Sequence, residues 1–257
     1  MNVNTLTRKC ATSEGADFFG VADVMPAREA IREQGGDLVA SFPRAVSIGL
    51  KLFHPIVDQI PRRLEDKVHA QNYGHHCYTV INQRLDLIAS KVADQLQTQG
   101  HRVYPVPASQ TINTARSIGV FSNKMAAHMA GLGWIGKSCL LVTPETGPRC
   151  RWATVLTDAP LTPTGRPMDT RCGDCRECVD ACPAQAFTGR NFREDEHREV
   201  RFDTLKCKDY REQCLEKYGV KECGICLWAC PHGKAASQKL STGQFCVPDS
   251  QIPSMSG

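Results

Sequence analysis

No apolar run in this 257-residue chain approaches the length needed to cross a bilayer. The opening residues, MNVNTLTRK, place no apolar stretch behind their basic ones, so a secretory leader is not expected either. Charge of one sign is also missing: 31 Lys and Arg against 27 Asp and Glu leave +4 at pH 7. A broad basic field of the kind that holds nucleic acid is therefore not supported. The chain reads as a soluble, cytoplasmic protein, and in that compartment its 14 cysteines are expected reduced and metal-bound, not paired as disulfides.

Eight of those cysteines fall into two spaced sets. Cys172, Cys175, Cys178 and Cys182 precede Pro183 as C-x2-C-x2-C-x3-C-P, and Cys207 is followed by Cys223, Cys226 and Cys230 before Pro231. The first pattern is the run by which bacterial ferredoxins hold 4Fe-4S clusters, with the fourth cysteine serving the other cluster. A short loop wraps one cube with three thiolates, while the fourth starts a helix and faces away. The expected ligand sets are therefore Cys172, Cys175 and Cys178 with Cys230, and Cys182 with Cys207, Cys223 and Cys226. Position 220, where the second repeat would place its first ligand, is Val220. Cys207 is the natural substitute and Cys214 its rival. Two four-thiolate zinc sites are the bland alternative, but zinc does not explain the third cysteine of the first run or the two C-x3-C-P endings.

Two oxidised clusters with their thiolates add roughly −4 in total and bring the loaded protein near neutrality. A local basic face from Arg149, Arg151, Arg166, Arg171 and Arg176 remains open, with a solvated rim as its ordinary reading. Beyond the cluster segment the chain is long enough for a second hydrophobic core. The expected division is residues 1–165 as an α+β domain with a cofactor or substrate pocket, 166–235 as a ferredoxin-like two-cluster domain, and 236–257 as a polar, flexible tail rich in Ser, Gln and Gly.

Along the first part, a short helix is expected over 5–16 and another after Pro26. RAVSIGLKL reads as a strand. Ile81, Leu85, Ile88, Val92 and Leu96 recur at three- and four-residue steps within a helix expected over 68–99, with Gly100 as its C-terminal cap. RVYPVP reads as an edge strand because of its prolines. Ser122 caps a helix over 123–130, and CLLVT with CRWATVLT flank PETGPR as a hairpin. Helices alternating with strands point to an α+β sandwich.

The stretch Gly131, Gly133, Trp134, Ile135, Gly136, Lys137 and Ser138 is the expected cofactor-binding loop. Its glycines permit close backbone approach, and Lys137 stands where an anionic group would be met. No strand precedes it, so it is not a dinucleotide fingerprint. Lys124 and His128, four apart on one short helix, are candidate proton donors beside this loop, an exposed helix face being the bland alternative. His75 and His76 are adjacent and diverge. Tyr104 is a further candidate proton donor, with packing at a strand end as its ordinary reading, and Cys10, Cys77, Cys139, Cys150 and Cys246 read as small buried or free thiols.

AGLGWIGKSCLLVTPETGPRCRWATVLTDAPL running into CGDCRECVDACPAQAF, with CKDY ahead of ECGICLWACP, resembles the epoxyqueuosine reductase family, relatives of the reductive dehalogenases. The resemblance implies a nitroreductase-like α/β sandwich carrying base-off cobalamin, joined to a bacterial-ferredoxin-like module that feeds it electrons. Two departures stand out. The family carries D-S-x-P ahead of AGLGW, its Asp the proposed proton donor, and an ungapped register places Ser117 there. The family also continues past the clusters into a helical-repeat region that helps hold tRNA. Asp195-Glu-His197 lacks the glycine of the D-x-H-x-x-G cobalt signature, so His197 reads as solvated surface.

The leading expectation is an iron-sulfur oxidoreductase passing electrons from ferredoxin or flavodoxin through two 4Fe-4S clusters to cobalamin or a small-molecule substrate, with nucleic acid and membrane set aside. A corrinoid-reducing protein serving a separate corrinoid protein, and an epoxyqueuosine (tRNA) reductase, are the alternatives.

Overall fold

The computed structural model describes residues 2–241. Its centre is a four-stranded antiparallel sheet in the order β1-β2-β6-β3, with β1 Phe18–Asp23, β2 Arg44–Lys51, β3 Val103–Val106 and β6 Cys150–Thr157. A separate ribbon pairs β4 Trp134–Ile135 with β5 Leu141–Val142. Among the described residues no helix is long and apolar enough to cross a membrane.

Each face of the sheet is covered by helices. On one side Ile81, Leu85, Ile88, Val92 and Leu96 are all buried against Val46, Ile48, Leu50, Ala153 and Val155 of β2 and β6. The three- and four-residue spacing thus lays one helix stripe on a pleated surface. On the other side Ala22, Ala45 and Leu156 meet Ile31 and Val39 of the helix Arg28–Ala40 and Ala126 of the helix Asn123–Met129. Ser122 caps the latter by accepting from the Met125 amide. β3 lies at the sheet edge, where Pro105 costs no ladder bond.

Three local expectations are corrected. The long helix is not continuous: Lys67–Gly74 passes into a π-helical stretch, His75–Val80, before Ile81–Thr98 resumes. The wider turn accommodates Tyr73 and Tyr78, whose rings meet edge to face at 5.4 Å. The hairpin flanking PETGPR is not formed as such. β5 turns back on β4, and Thr143 and Gly147 close the turn with a lone bridge. β6 leaves to lie between β2 and β3, because it is buried along nearly its whole length and a central strand uses both edges. Finally, residues up to Ser241 form the helix Pro231–Ser241 where a polar tail was expected from 236. The remainder of that tail, with Cys246, lies outside the described residues.

Candidate active site

The cluster segment repeats one local design twice. Cys178 sits in the short helix Glu177–Asp180 and Cys226 in Ile225–Ala229, each behind a loop that turns at a glycine with positive φ, Gly173 at +48° and Gly224 at +71°. A Cβ on Gly224 would come within 2.5 Å of the Tyr73 hydroxyl, so only glycine lets this loop lie against the tyrosine. Between the halves, Asp203 caps the helix Thr204–Tyr218, which carries Cys207 and Cys214 and stops at left-handed Gly219.

The thiols assemble crosswise. Burial, and then the neighbouring thiols of Cys230, Cys172 and Cys175, push the Cys178 thiol up to about 12. Burial, and then Cys223, Cys207, Cys182 and lastly Cys178, raise the Cys226 thiol. Burial, with Cys223 and Cys182 among the neighbours and Arg211 opposing, raises Cys207. Cys178 thus has Cys230, and Cys226 has Cys182, as a neighbouring thiol from the other half of the repeat. Cys214 is buried, with Tyr210 and Cys223 for neighbours. It is not among the neighbours of Cys226, which favours Cys207 as the eighth ligand. Crowded, buried thiols resist ionisation, and a metal cluster's positive charge is what makes four thiolates together tenable. Among the described residues no three His, Cys, Asp or Glu side chains converge on a single ion.

Two buried donors also fit such groups. Trp134, 1% exposed, packs against His232 and Arg171, which adjoin the first quartet, and its Nε1 lacks a partner among the described residues. Arg63, from the sheet-bearing part, donates from Nη2 to Cys223 Sγ at 3.5 Å, and its Nε is likewise unpartnered.

A cavity of about 770 Å³ lies between the sheet and the second quartet. Cys182, Cys207, Cys223 and Cys226 all line it, and none of Cys172, Cys175, Cys178 and Cys230 does. Cys175 is exposed instead. The remaining wall is formed by Tyr73 and Tyr78 from the π-helical region, Tyr104, Arg151 and Trp152 from the strands, Lys124, and much of the 107–121 segment. Arg198, from between the cluster halves, holds that segment by donating to the carbonyls of Arg116 and Ser117. Arg116 pairs with Glu33 and Glu199, each at 3.6 Å.

The expected cofactor loop is elsewhere. None of Gly131, Gly133, Trp134, Ile135, Gly136, Lys137 and Ser138 lines the cavity. Lys137 is spent on the first cluster loop, donating to the carbonyls of Gly173 at 2.7 Å and Cys175 at 3.1 Å. Gly131 lies against the backbone of Arg166, and Gly136 near Cys172 Sγ. The glycines serve close packing of this loop on the linker and the first quartet. Lys124 and His128 are also separated. Lys124 lines the cavity and donates from Nζ to the Cys139 carbonyl at 2.5 Å, and burial holds its pKa down. His128 is buried, with Nδ1 3.0 Å from the Gly133 carbonyl and its ring against Phe192. His197 is exposed but stands on the cavity rim. The basic face is incomplete, since Arg149 is fully buried and Arg151 lines the cavity.

Residues 171–233 match the family described as a 4Fe-4S double cluster binding domain. The chain is 27% identical over 238 residues to an epoxyqueuosine reductase from Synechococcus sp. (strain RCC307), covering 93% of this chain and 68% of that protein. The chain is a relative of the epoxyqueuosine reductases. It spans 40–55% of the length of other epoxyqueuosine reductases that it matches. Its fold is shared with a catabolic reductive dehalogenase, at a TM-score of 0.66 with 21% identity over 95% of this chain and 34% of that one. It is shared too with an epoxyqueuosine reductase solved with an epoxyqueuosine-modified tRNA stem loop, at a TM-score of 0.55 with 20% identity over 91% of this chain and 67% of that one. The double cluster segment is the part that this kinship and the spacing of cysteines identify alike.

Proposed function

We propose that this chain is a reductase that passes electrons one at a time from an external low-potential donor through the first cluster to the second, and from there into the cavity, where a corrinoid and the substrate meet. The observation that carries this reading is the one-sided lining: the second quartet borders the cavity and the first does not. Cys172, Cys175, Cys178 and Cys230 would hold the outer cube, and Cys182, Cys207, Cys223 and Cys226 the inner one. Residues 1–165 would form the nitroreductase-like pocket domain and 166–235 the electron-delivery module.

The lining fits a corrinoid, which Tyr73, Tyr78, Tyr104 and Trp152 would hold. Aromatic and aliphatic residues, several of them from the 107–121 segment, form much of its wall, and among the described residues its one histidine is His197 at the rim. Cobalamin there would supply a strongly reducing, nucleophilic centre. This chain's own residues would orient the substrate, exclude water and give a proton. Epoxyqueuosine in tRNA, the substrate that the relatives' names carry, is the favoured one. The modest net charge argued against nucleic acid; the relatives argue for it more strongly. Reducing an epoxide to an alkene consumes two electrons and two protons and releases water, so the wall needs a proton donor. Ser117 stands where the family has its acid. Glu33 and Glu199 are both engaged by Arg116. Of the other titratable groups on the wall, which include Tyr104, Tyr210 and His197, we select Lys124, because burial lowers its pKa and so makes its ammonium the better acid. That no carboxylate on the wall is free among the described residues favours, as a second reading, a protein that reduces corrinoid or a smaller molecule.

Anaerobic reconstitution followed by cobalamin tests the reading. The sample is expected to retain about one corrinoid per chain beside about eight irons, and a corrinoid lost on gel filtration would overturn the cavity assignment. Salt-sensitive binding of epoxyqueuosine tRNA separates the tRNA reading from the smaller-substrate one. In the active enzyme, Lys124→Gln is expected to lower the turnover number about 10²- to 10⁴-fold at unchanged iron content. Unchanged turnover would remove Lys124 as the donor.

A further inference from the structure

Arg63 is a buried cation that forms no ion pair with a carboxylate among the described residues. It lies in the one-turn helix Ile60–Leu64 and is 4% exposed. Nη1 donates to the Ile60 carbonyl at 3.3 Å, and Nη2 to the Tyr210 hydroxyl at 3.1 Å and to Cys223 Sγ at 3.5 Å. Nε has no partner among the described residues. Those hydrogen-bonding partners are a carbonyl, a phenol and a thiol, and none carries the carboxylate that normally accompanies a buried guanidinium. Lys137 beside the first quartet differs, because its ammonium is taken up by two backbone carbonyls and does not touch a thiol.

We infer that Arg63 sets the potential of the inner cluster. On accepting one electron a cluster gains one unit of negative charge, and a fixed positive charge in a water-poor site stabilises the reduced form more than the oxidised one. An N–H donor on a cluster thiolate acts in the same direction, since hydrogen bonds to the sulfurs are one of the levers on cluster potential. Arg63 therefore raises the midpoint potential of the cluster held by Cys182, Cys207, Cys223 and Cys226 and draws the electron toward the cavity. It is a positioning residue from the sheet-bearing part acting on the cluster segment. This rests on the two-cluster reading above and is independent of what occupies the cavity.

The test is redox potentiometry, followed by electron paramagnetic resonance, on anaerobically reconstituted wild type, Arg63→Gln and Arg63→Lys, with iron and sulfide counted first. Arg63→Gln is expected to move one midpoint to a more negative value and leave the other in place. Arg63→Lys, which keeps the charge and loses the planar fork, is expected to move the same midpoint by less. Two unchanged midpoints, or equal displacement of both, would overturn the assignment. If Arg63→Gln cannot hold the inner cluster, Arg63→Lys decides. Loss of that cluster there too would make Arg63 a structural pin and refute the role. A wild type holding clearly fewer than about eight irons refutes the cluster reading instead, and the iron count shows which has failed.

Discussion

Serine in place of Cys182 is expected to abolish the inner cluster and spare the outer one, although Cys182 belongs in sequence to the first run. Iron should fall from about eight to about four per chain. The surviving cube should still accept an electron from dithionite, while reduction of anything in the cavity stops. The reason is geometric. Cys182 ends the first run beyond the helix Glu177–Asp180, and its thiol bears on Cys226 and Cys223, not on Cys178. Cys178→Ser makes the reciprocal test by removing the outer cube. Parallel iron counts and spin integrations on the two variants would refute crosswise pairing if Cys182→Ser and Cys178→Ser erased the same signal.

Arg149→Met carries the largest expected loss of stability. The guanidinium is fully buried, with Nη2 2.8 Å from Asp58 Oδ1 and Nη1 2.9 Å from His54 Nδ1. Burial first, and then Arg149, lower the His54 pKa, so at neutral pH the imidazole is uncharged and accepts from Arg149. Asp58 in turn accepts from the Ser237 hydroxyl of the helix Pro231–Ser241, which begins directly after Cys230. The arginine therefore fastens the last cluster ligand to the sheet-bearing part. Breaking a buried pair by removing one partner costs about 3–5 kcal/mol. Asp58 keeps about a third of its side-chain exposure, which places the loss near the lower value. At about 2–4 °C per kcal/mol for a chain of this size, melting should fall by roughly 6–12 °C in the reconstituted protein. Adding Asp58→Leu to Arg149→Met should recover part of that loss, because it removes the orphaned carboxylate. A melting temperature within a degree of wild type would show that the pair contributes little.

Local patterns were legible wherever one residue type at fixed spacing has one physical meaning. The eight cysteines are such a case, and so are the apolar stripe from Ile81 to Leu96, the Ser122 cap and the proline-bearing edge strand. Patterns whose meaning depends on a partner far along the chain were not. CRWATVLT reads equally well as half of a hairpin or as a central strand, and only the presence of β2 and β3 on either side makes it central. β1 was missed, because FFGVAD has too little alternation to stand out. The π-helical turn left no signal either: HHCYTV has no breaker, and the need to place Tyr73 against Gly224 comes from 151 residues away. The glycine-rich loop was read as a cofactor grip because glycines followed by lysine permit one; the carbonyls that claim Lys137 belong to a distant loop.

The spacing of thiols along the chain points to two clusters, as the double-cluster match over residues 171–233 bears out, because the intervals of two and three residues are a short-range constraint; the choice between Cys207 and Cys214 was not written in any such interval. Which cube borders the cavity, that Lys124 lines the cavity and His128 does not, and that Arg63 reaches Cys223 across 160 positions all depend on how two separately built parts pack together. Burial and close approach between remote segments are many-body outcomes of packing, and they leave no fixed interval in the sequence to be read.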